Sequence, residues 1–421
     1  MVTYEKKILA NGLRVVLHKD ESTPMVAINI LYSVGSKDED PGRTGFSHLF
    51  EHLMFGGTEN VKDFDKPIQL AGGENNAFTN SDITNYYDVV PLENLEVALW
   101  LEADRMSKMK FTEKTLKTQK KVVIEEFKET CLNEPYGDMW HHISAMLYPD
   151  HGYNWPTIGK EIKHIAAATL ADVQEFFDLH YRTENAILSI CGNIDIPKTF
   201  DLVEKWFGQI TNPPKPLVIK SEFPKSEVTN SLSIKANVPS KSIVMAFKMQ
   251  ARMHPDYYPA DLISDILSSG RSSRFFQTLV KEKELFSNID AYISGTTDEG
   301  AFVIEGKLME DTEMPMAVAA IWEELEALKT NAVSETELLK IKNKTESNLV
   351  FSETSVLSKA MSLAYYEYLG DLDLINTEAE MYNKVTTADI LRISNEIFQL
   401  ENCGQLYYFP LDVLETAPIE G

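Results

Sequence analysis

Two widely separated segments share one local design. Thr169-Leu170-Ala171-Asp172-Val173 and Thr386-Thr387-Ala388-Asp389-Ile390 each set a threonine three residues before an aspartate, at the head of a run with helical spacing. That pattern marks a helix N-terminus whose first amides are satisfied by paired side chains. The first run leads into Ala186-Ile187-Leu188-Ser189-Ile190 and the second into Gln405-Leu406-Tyr407-Tyr408-Phe409, both strand-like. A helix-then-strand ending repeated about half a chain apart favours a duplicated arrangement of two related αβ domains over a single one. The length of 421 residues agrees, because one hydrophobic core stops growing well below it.

Each half opens with strands. Asn11-Gly12 is a turn signal before the alternation Leu13, Val15, Leu17, which predicts a hairpin, and a second alternation runs Val26, Ile28, Ile30, Tyr32. Helical spacing follows over 44–55, along Leu95, Ala98, Leu99 and Met106, and over about 113–132. The prolines of Thr211-Asn212-Pro213-Pro214-Lys215-Pro216 exclude a continuing helix or central strand. Beyond them come strand patterns at 232–236 and 242–249, then helical ones at 260–267, at 318–328 and after the capping box Ser334…Glu337. The expected class is therefore α+β, with an N-terminal domain over 1–210, a proline-rich linker at 211–217 and a C-terminal domain over 218–421. Each domain is expected to be a mostly antiparallel sheet packed with helices.

A formal charge of −24 repels nucleic acid and anionic membrane surfaces, so neither is expected as a partner. No stretch reaches the roughly 20 apolar residues of a membrane span, and the N-terminus reads into strand rather than a signal peptide. Cys131, Cys191 and Cys403 are far apart and odd in number, which fits a reducing compartment; the expectation is cytoplasmic.

The chemistry concentrates in Phe46-Ser47-His48-Leu49-Phe50-Glu51-His52-Leu53-Met54-Phe55. Two histidines four apart share one helix face and can bind one ion together. Glu51 stands where its carboxylate can hydrogen-bond a water on that ion while being badly placed as a ligand, the inverted order of the H-E-x-x-H helix. Neutral imidazoles suit Zn²⁺, an open position takes water, and a carboxylate takes the proton. A third ligand is needed, and Val122-Val123-Ile124-Glu125-Glu126-Phe127-Lys128-Glu129 offers three carboxylates among which helical spacing alone does not choose. The other histidines are solitary or, as with His141 and His142, adjacent and on different helix faces.

These motifs together resemble the pitrilysin family of inverzincins, which includes insulin-degrading enzyme and the mitochondrial processing peptidase, and especially its short bacterial members. The similarity runs through nearly the whole chain: the H-x-x-E-H helix, Gly73-Glu74-Asn75-Asn76-Ala77-Phe78-Thr79 with Tyr86-Tyr87, and Leu101-Glu102-Ala103-Asp104-Arg105-Met106. It continues with Trp155-Pro156-Thr157-Ile158-Gly159, Tyr181-Arg182-Thr183-Glu184-Asn185-Ala186 and Gly270-Arg271-Ser272-Ser273-Arg274. The resemblance implies a metalloendopeptidase with one Zn²⁺ per chain held by His48, His52 and Glu126, the last falling on the family's V-x-x-E pattern, and with Glu51 as general base. Glu125 and Glu129 are the fallbacks. Where the family usually has a supporting glutamate seven residues before the ligand, this chain has Gln119. Asn76, Ala77, Phe78 and Thr79 match the edge strand on which the family lays its peptide substrates.

The same resemblance implies a clamshell-type dimer. In short members the second half of a facing chain commonly supplies an arginine and a tyrosine in a pattern like R-E-K-G-L-A-Y; here the stretch is Lys281-Glu282-Lys283-Glu284-Leu285-Phe286-Ser287. That departure implies a heterodimer whose partner is a paralogue with both residues but without the zinc motif. The competing expectation is a non-catalytic structural or assembly subunit of the same fold, although such proteins typically carry damaged zinc motifs and this one is intact.

Overall fold

The computed structural model describes residues 1–212, 214, 228, 229 and 231–411. Six strands form the first sheet: β1 (Glu5–Ile8), β2 (Arg14–Lys19), β3 (Met25–Tyr32), β4 (Glu74–Thr79), β5 (Thr84–Pro91) and β6 (Ala186–Gly192), in the order β1-β2-β6-β3-β5-β4. Five form the second: β7 (Ser231–Ala236), β8 (Ser242–Met249), β9 (Phe286–Ser294), β10 (Gly300–Leu308) and β11 (Cys403–Pro410), in the order β7-β11-β8-β10-β9. The expected N-terminal hairpin is β1 and β2. Both sheets are antiparallel except for one pair each, β2 with β6 and β7 with β11. Removing β1 from the first order leaves the second order position for position, so the duplication extends to strand topology.

The two threonine caps explain part of this identity. Thr169 Oγ1 accepts the Asp172 N–H at 3.3 Å, and Thr386 Oγ1 accepts that of Asp389 at 3.2 Å. Each aspartate returns the bond to its threonine's N–H at 2.9 Å. The helices they start, Leu170–His180 and Thr387–Ile397, deliver the chain to β6 and β11, the parallel partners of β2 and β7.

The chain forms two compact units: Met1–Phe127, Trp155–Phe223 and Leu349–Thr377 in one, and Lys128–Asn154, Pro224–Asn348 and Glu378–Gly421 in the other. A contiguous division describes the sheets but not the helices. In the first unit, helix Val356–Leu369, from the second half of the sequence, packs on β3 and β6. In the second unit, helix Met139–Leu147, from the first half, packs on β8 and β11. The physical reason lies in β6, all seven of whose residues are buried, so its sheet needs cover on both faces. Ala360, Leu363 and Tyr366 supply the second cover over Val16, Ala27 and Cys191, and Ser189 Oγ donates to the Ala360 carbonyl at 2.6 Å. Of the expected linker, residues 213 and 215–217 lie outside the described residues. No helix among them is long and apolar enough to cross a membrane.

Candidate metal centre

Helix Phe46–Leu53 presses Leu49, Phe50 and Leu53 into the core of the first unit, each at most 1% exposed. That apolar face, locked by Phe50 against the rings of Phe176 and Tyr181, leaves His48, Glu51 and His52 partly exposed. Helix Glu113–Phe127 is oriented in turn by buried Leu116, Val123 and Phe127. Its rotation leaves Glu126 half-buried against the histidines and Glu125 exposed; Glu129, past the end of this helix, is exposed as well.

The distances describe a small triangle. His48 Nε2 and His52 Nε2 are 3.4 Å apart, His48 Nε2 lies 3.5 Å from Glu126 Oε1, and His52 Nε2 lies 3.4 Å from Glu126 Oε2. Two atoms bound to one tetrahedral zinc at about 2.0–2.2 Å stand roughly 3.3–3.6 Å from each other. The three edges match that separation, so the residues fit the ion. Among the described residues, these three are the only group of histidine, cysteine and acidic side chains close enough to share a metal.

Electrostatics favour the ligating forms. Burial lowers the His48 pKa against the pull of the Glu126 carboxylate, which favours the neutral imidazole. Hydrogen bonding to His52 holds the Glu126 carboxyl below its ordinary value despite partial burial. Glu51, on the histidine helix, makes no side-chain hydrogen bond or ion pair with the described residues. Gln119 lies two turns before Glu126, half-buried. Nδ1 of His48 is buried without a partner among the described residues.

The start of the histidine helix involves residues that spacing did not assign. Its N-cap is Gly45, at φ 87°, which has no side chain to cap with. Instead, Glu39 accepts the N–H groups of Gly45 and Ser47, both at 2.7 Å, and the indole N–H of Trp155 at 3.0 Å. Burial pushes the Glu39 carboxyl up to about 8, while these donors pull against it. Since every polar contact on its oxygens is a donor, the ionised form is the one whose bonds are complete. A helix beginning on glycine was the one sequence signal that a remote acceptor is needed.

Asn76, Ala77, Phe78 and Thr79 lie on β4, the outermost strand of the first sheet, which packs beside the histidine helix. Asn76 and Phe78 are exposed, and Ala77 packs on the core. Lys281 and Ser287 belong to the second unit: the Lys281 ammonium lies 3.4 Å from Gln277 Oε1, and Ser287 Oγ donates to the Lys307 carbonyl at 3.1 Å. Other histidines take local roles, His18 at the Thr3 carbonyl, His164 at Thr44 and His142 at Asp138.

The chain matches two sequence models of one family in chain order: Insulinase (Peptidase family M16) over residues 14–157, and Peptidase M16 inactive domain over residues 167–345. It is 28% identical over 402 residues to zinc protease PqqE of Helicobacter pylori, spanning 94% of this chain and 90% of that one. It is 29% identical over 394 residues to the uncharacterized zinc protease YmxG of Bacillus subtilis, spanning 93% and 94%. A crystal structure of a protease from Helicobacter pylori superposes with a TM-score of 0.93 at 28% identity, covering 97% of this chain and all of that one. A peptidase M16 inactive domain from Pseudomonas fluorescens shares the fold, with a TM-score of 0.87 at 17% identity over 99% of this chain and 100% of that one. The histidine helix and its glutamate partner fall within the insulinase match, the second sheet within or beyond the inactive-domain match, and this chain belongs to the M16 (insulinase, or pitrilysin) peptidase family, among its short two-domain members.

Proposed function

We propose that this chain is a zinc-dependent endopeptidase that hydrolyses peptides or unfolded segments. The observation that carries the reading is the triangle of His48 Nε2, His52 Nε2 and Glu126 carboxylate at 3.4–3.5 Å, with the unpartnered Glu51 carboxylate on the same helix. His48, His52 and Glu126 would hold one Zn²⁺. When bound, zinc polarises the scissile carbonyl and lowers the pKa of a water. Glu51 takes the proton of the attacking water on a carboxylate oxygen and returns it to the leaving amine nitrogen. The outer edge of β4, from Asn76 to Thr79, receives the substrate main chain as an added strand, which favours cleavage tolerant of side-chain sequence. Incubating a mixed peptide library with and without a chelator, and identifying cut sites by mass spectrometry, tests the reading. Cleavage that persists unchanged after the metal is stripped would sink it.

Three narrower parts belong to the same reading. Gln119 can hydrogen-bond but adds no charge, so Gln119→Glu should raise metal affinity or turnover. Lys281 lacks a forked guanidinium and Ser287 lacks a phenol, so the working form is a dimer with a paralogue that supplies both and lacks the zinc motif. Full hydrolysis by the purified chain, unchanged on adding the paralogue, would remove that requirement. Three buried cysteines without disulfides fit the cytoplasm.

A further inference from the structure

Glu39 is 6% exposed, sits six residues before the N-cap it serves, and plays no part in the chemistry above. The helix it meets has only eight residues, and helices that short are marginal without outside support. His48 is its third residue, inside the first turn, where backbone N–H groups have no partner within the helix. Glu39 Oε2 takes the Gly45 N–H and Oε1 takes the Ser47 N–H, so one carboxylate spans the turn that carries His48. Negative charge at this end also suits the helix dipole. The carboxylate is itself aimed: Trp155 Nε1 donates to Glu39 Oε2 and lies 3.1 Å from the Ser36 carbonyl. Behind the same turn, the Lys160 N–H donates to Thr44 Oγ1 at 2.7 Å, and the Gly159 backbone approaches so closely that a Cβ there would sit 3.0 Å from the Gly45 Cα. The Trp155–Gly159 segment thus braces the helix start on one side and Glu39 on the other.

We propose that Glu39 is a positioning residue of the metal centre: as a remote cap oriented by Trp155, it fixes the first turn of the histidine helix and so the place of His48 Nε2 relative to His52 and Glu126. The inference rests on the metallopeptidase reading and adds to it a buried support that touches neither metal nor substrate. The amide of Glu39→Gln keeps the shape but turns an N–H group toward an N–H donor, and Trp155→Phe removes only the indole donor. Zinc affinity is measured by competition with a chromophoric chelator, alongside thermal unfolding of the metal-free chains and steady-state kinetics at saturating zinc. Glu39→Gln should weaken zinc about ten- to a hundredfold, the usual range for outer support of a metal ligand, and lower kcat with KM within about twofold. Trp155→Phe should weaken zinc severalfold, and it keeps the proposal testable if Glu39→Gln does not fold. A purely structural Glu39 would lower the metal-free Tm and leave the folded chain's zinc affinity unchanged, which overturns the proposal; so does unchanged affinity in Trp155→Phe if that is the variant that folds. If the wild-type chain binds no zinc, the metal reading falls together with this one, whereas zinc bound equally by wild type and Glu39→Gln removes this inference alone.

Discussion

Replacing Gly45 by alanine tests how tightly the start of the histidine helix is held. Gly45 has φ 87° and ψ 9°, a left-handed conformation that costs an L side chain about 1–2 kcal/mol. A Cβ built there meets the Ile158 carbonyl oxygen at 2.7 Å, Ile165 Cδ1 at 2.8 Å and Gly159 Cα at 3.2 Å. The first and third of these are backbone atoms of the segment that packs on Gly45, so relief requires moving that segment away from the helix. Such overpacking costs roughly 1–3 kcal/mol, for a total of about 2–5 kcal/mol. Gly370 provides the control: its φ is 86°, it lies in the same unit, and a Cβ there meets nothing within 4 Å. Gly370→Ala should therefore cost only the backbone part, about 1–2 kcal/mol. At roughly 2–4 °C per kcal/mol for a unit of this size, the expected Tm losses are about 4–20 °C for Gly45→Ala and 2–8 °C for Gly370→Ala. Calorimetry on the metal-free chains, followed in parallel by circular dichroism, reads both. Equal losses in the two variants would show that the contact between Gly45 and the Ile158–Gly159 backbone is not close, and the reasoning fails.

Glu51→Gln should keep stoichiometric zinc and lose about 10²–10⁴-fold in peptide hydrolysis, because an amide cannot accept the proton of water; turnover within tenfold of wild type would remove the general base. Glu126→Gln should lose zinc while Glu125→Gln and Glu129→Gln keep it, since only Glu126 faces His48 and His52; metal analysis after dialysis decides, and the opposite pattern would move the ligand. Burial alone would raise the Asp20 carboxyl, but the Lys359 ammonium at 2.6 Å and hydrogen bonds from Ser22 outweigh it and hold it well below the usual carboxylate range. A carboxyl depressed in the folded state stabilises above its unfolded pKa near 4 and loses that contribution as pH falls through its folded value. Lys359→Met should therefore destabilise the chain at pH 7, with the gap to wild type narrowing as denaturation is repeated at lower pH below about 4; a gap independent of pH would contradict the assignment.

Short-range features were legible in the sequence because their causes are short-range. The two threonine–aspartate caps close within four residues, the Asn11-Gly12 turn joins adjacent strands, and His48 and His52 share a face by helical period alone. The strands of the two halves of the sequence form two sheets of matching strand order. The helical spacing over 44–55 came out as Phe46–Leu53, two residues shorter at each end; at its head the left-handed conformation of Gly45 makes it the N-cap, so the helix begins at Phe46.

What spacing could not supply depends on how one element turns against another. Glu125 and Glu126 are equivalent by spacing until buried Val123 and Phe127 set the rotation of their helix and leave Glu126 beside the imidazoles. The bonds that Glu39 accepts from the Gly45 and Ser47 N–H groups, and from Trp155 across 116 positions, carry no periodic trace in the chain. Likewise, nothing local in Val356–Leu369 says that it covers β3 and β6; that follows from strands buried on both faces, which must find a second apolar cover wherever the chain can provide one. The sequence by itself determined the elements, the duplication and the shared helix face of His48 and His52, since those rest on hydrogen bonds and periods a few residues long. Tertiary packing decided the placement of Glu126 beside the imidazoles, the remote cap and the exchange of helices between units, since each rests on surfaces that meet only once the chain has folded.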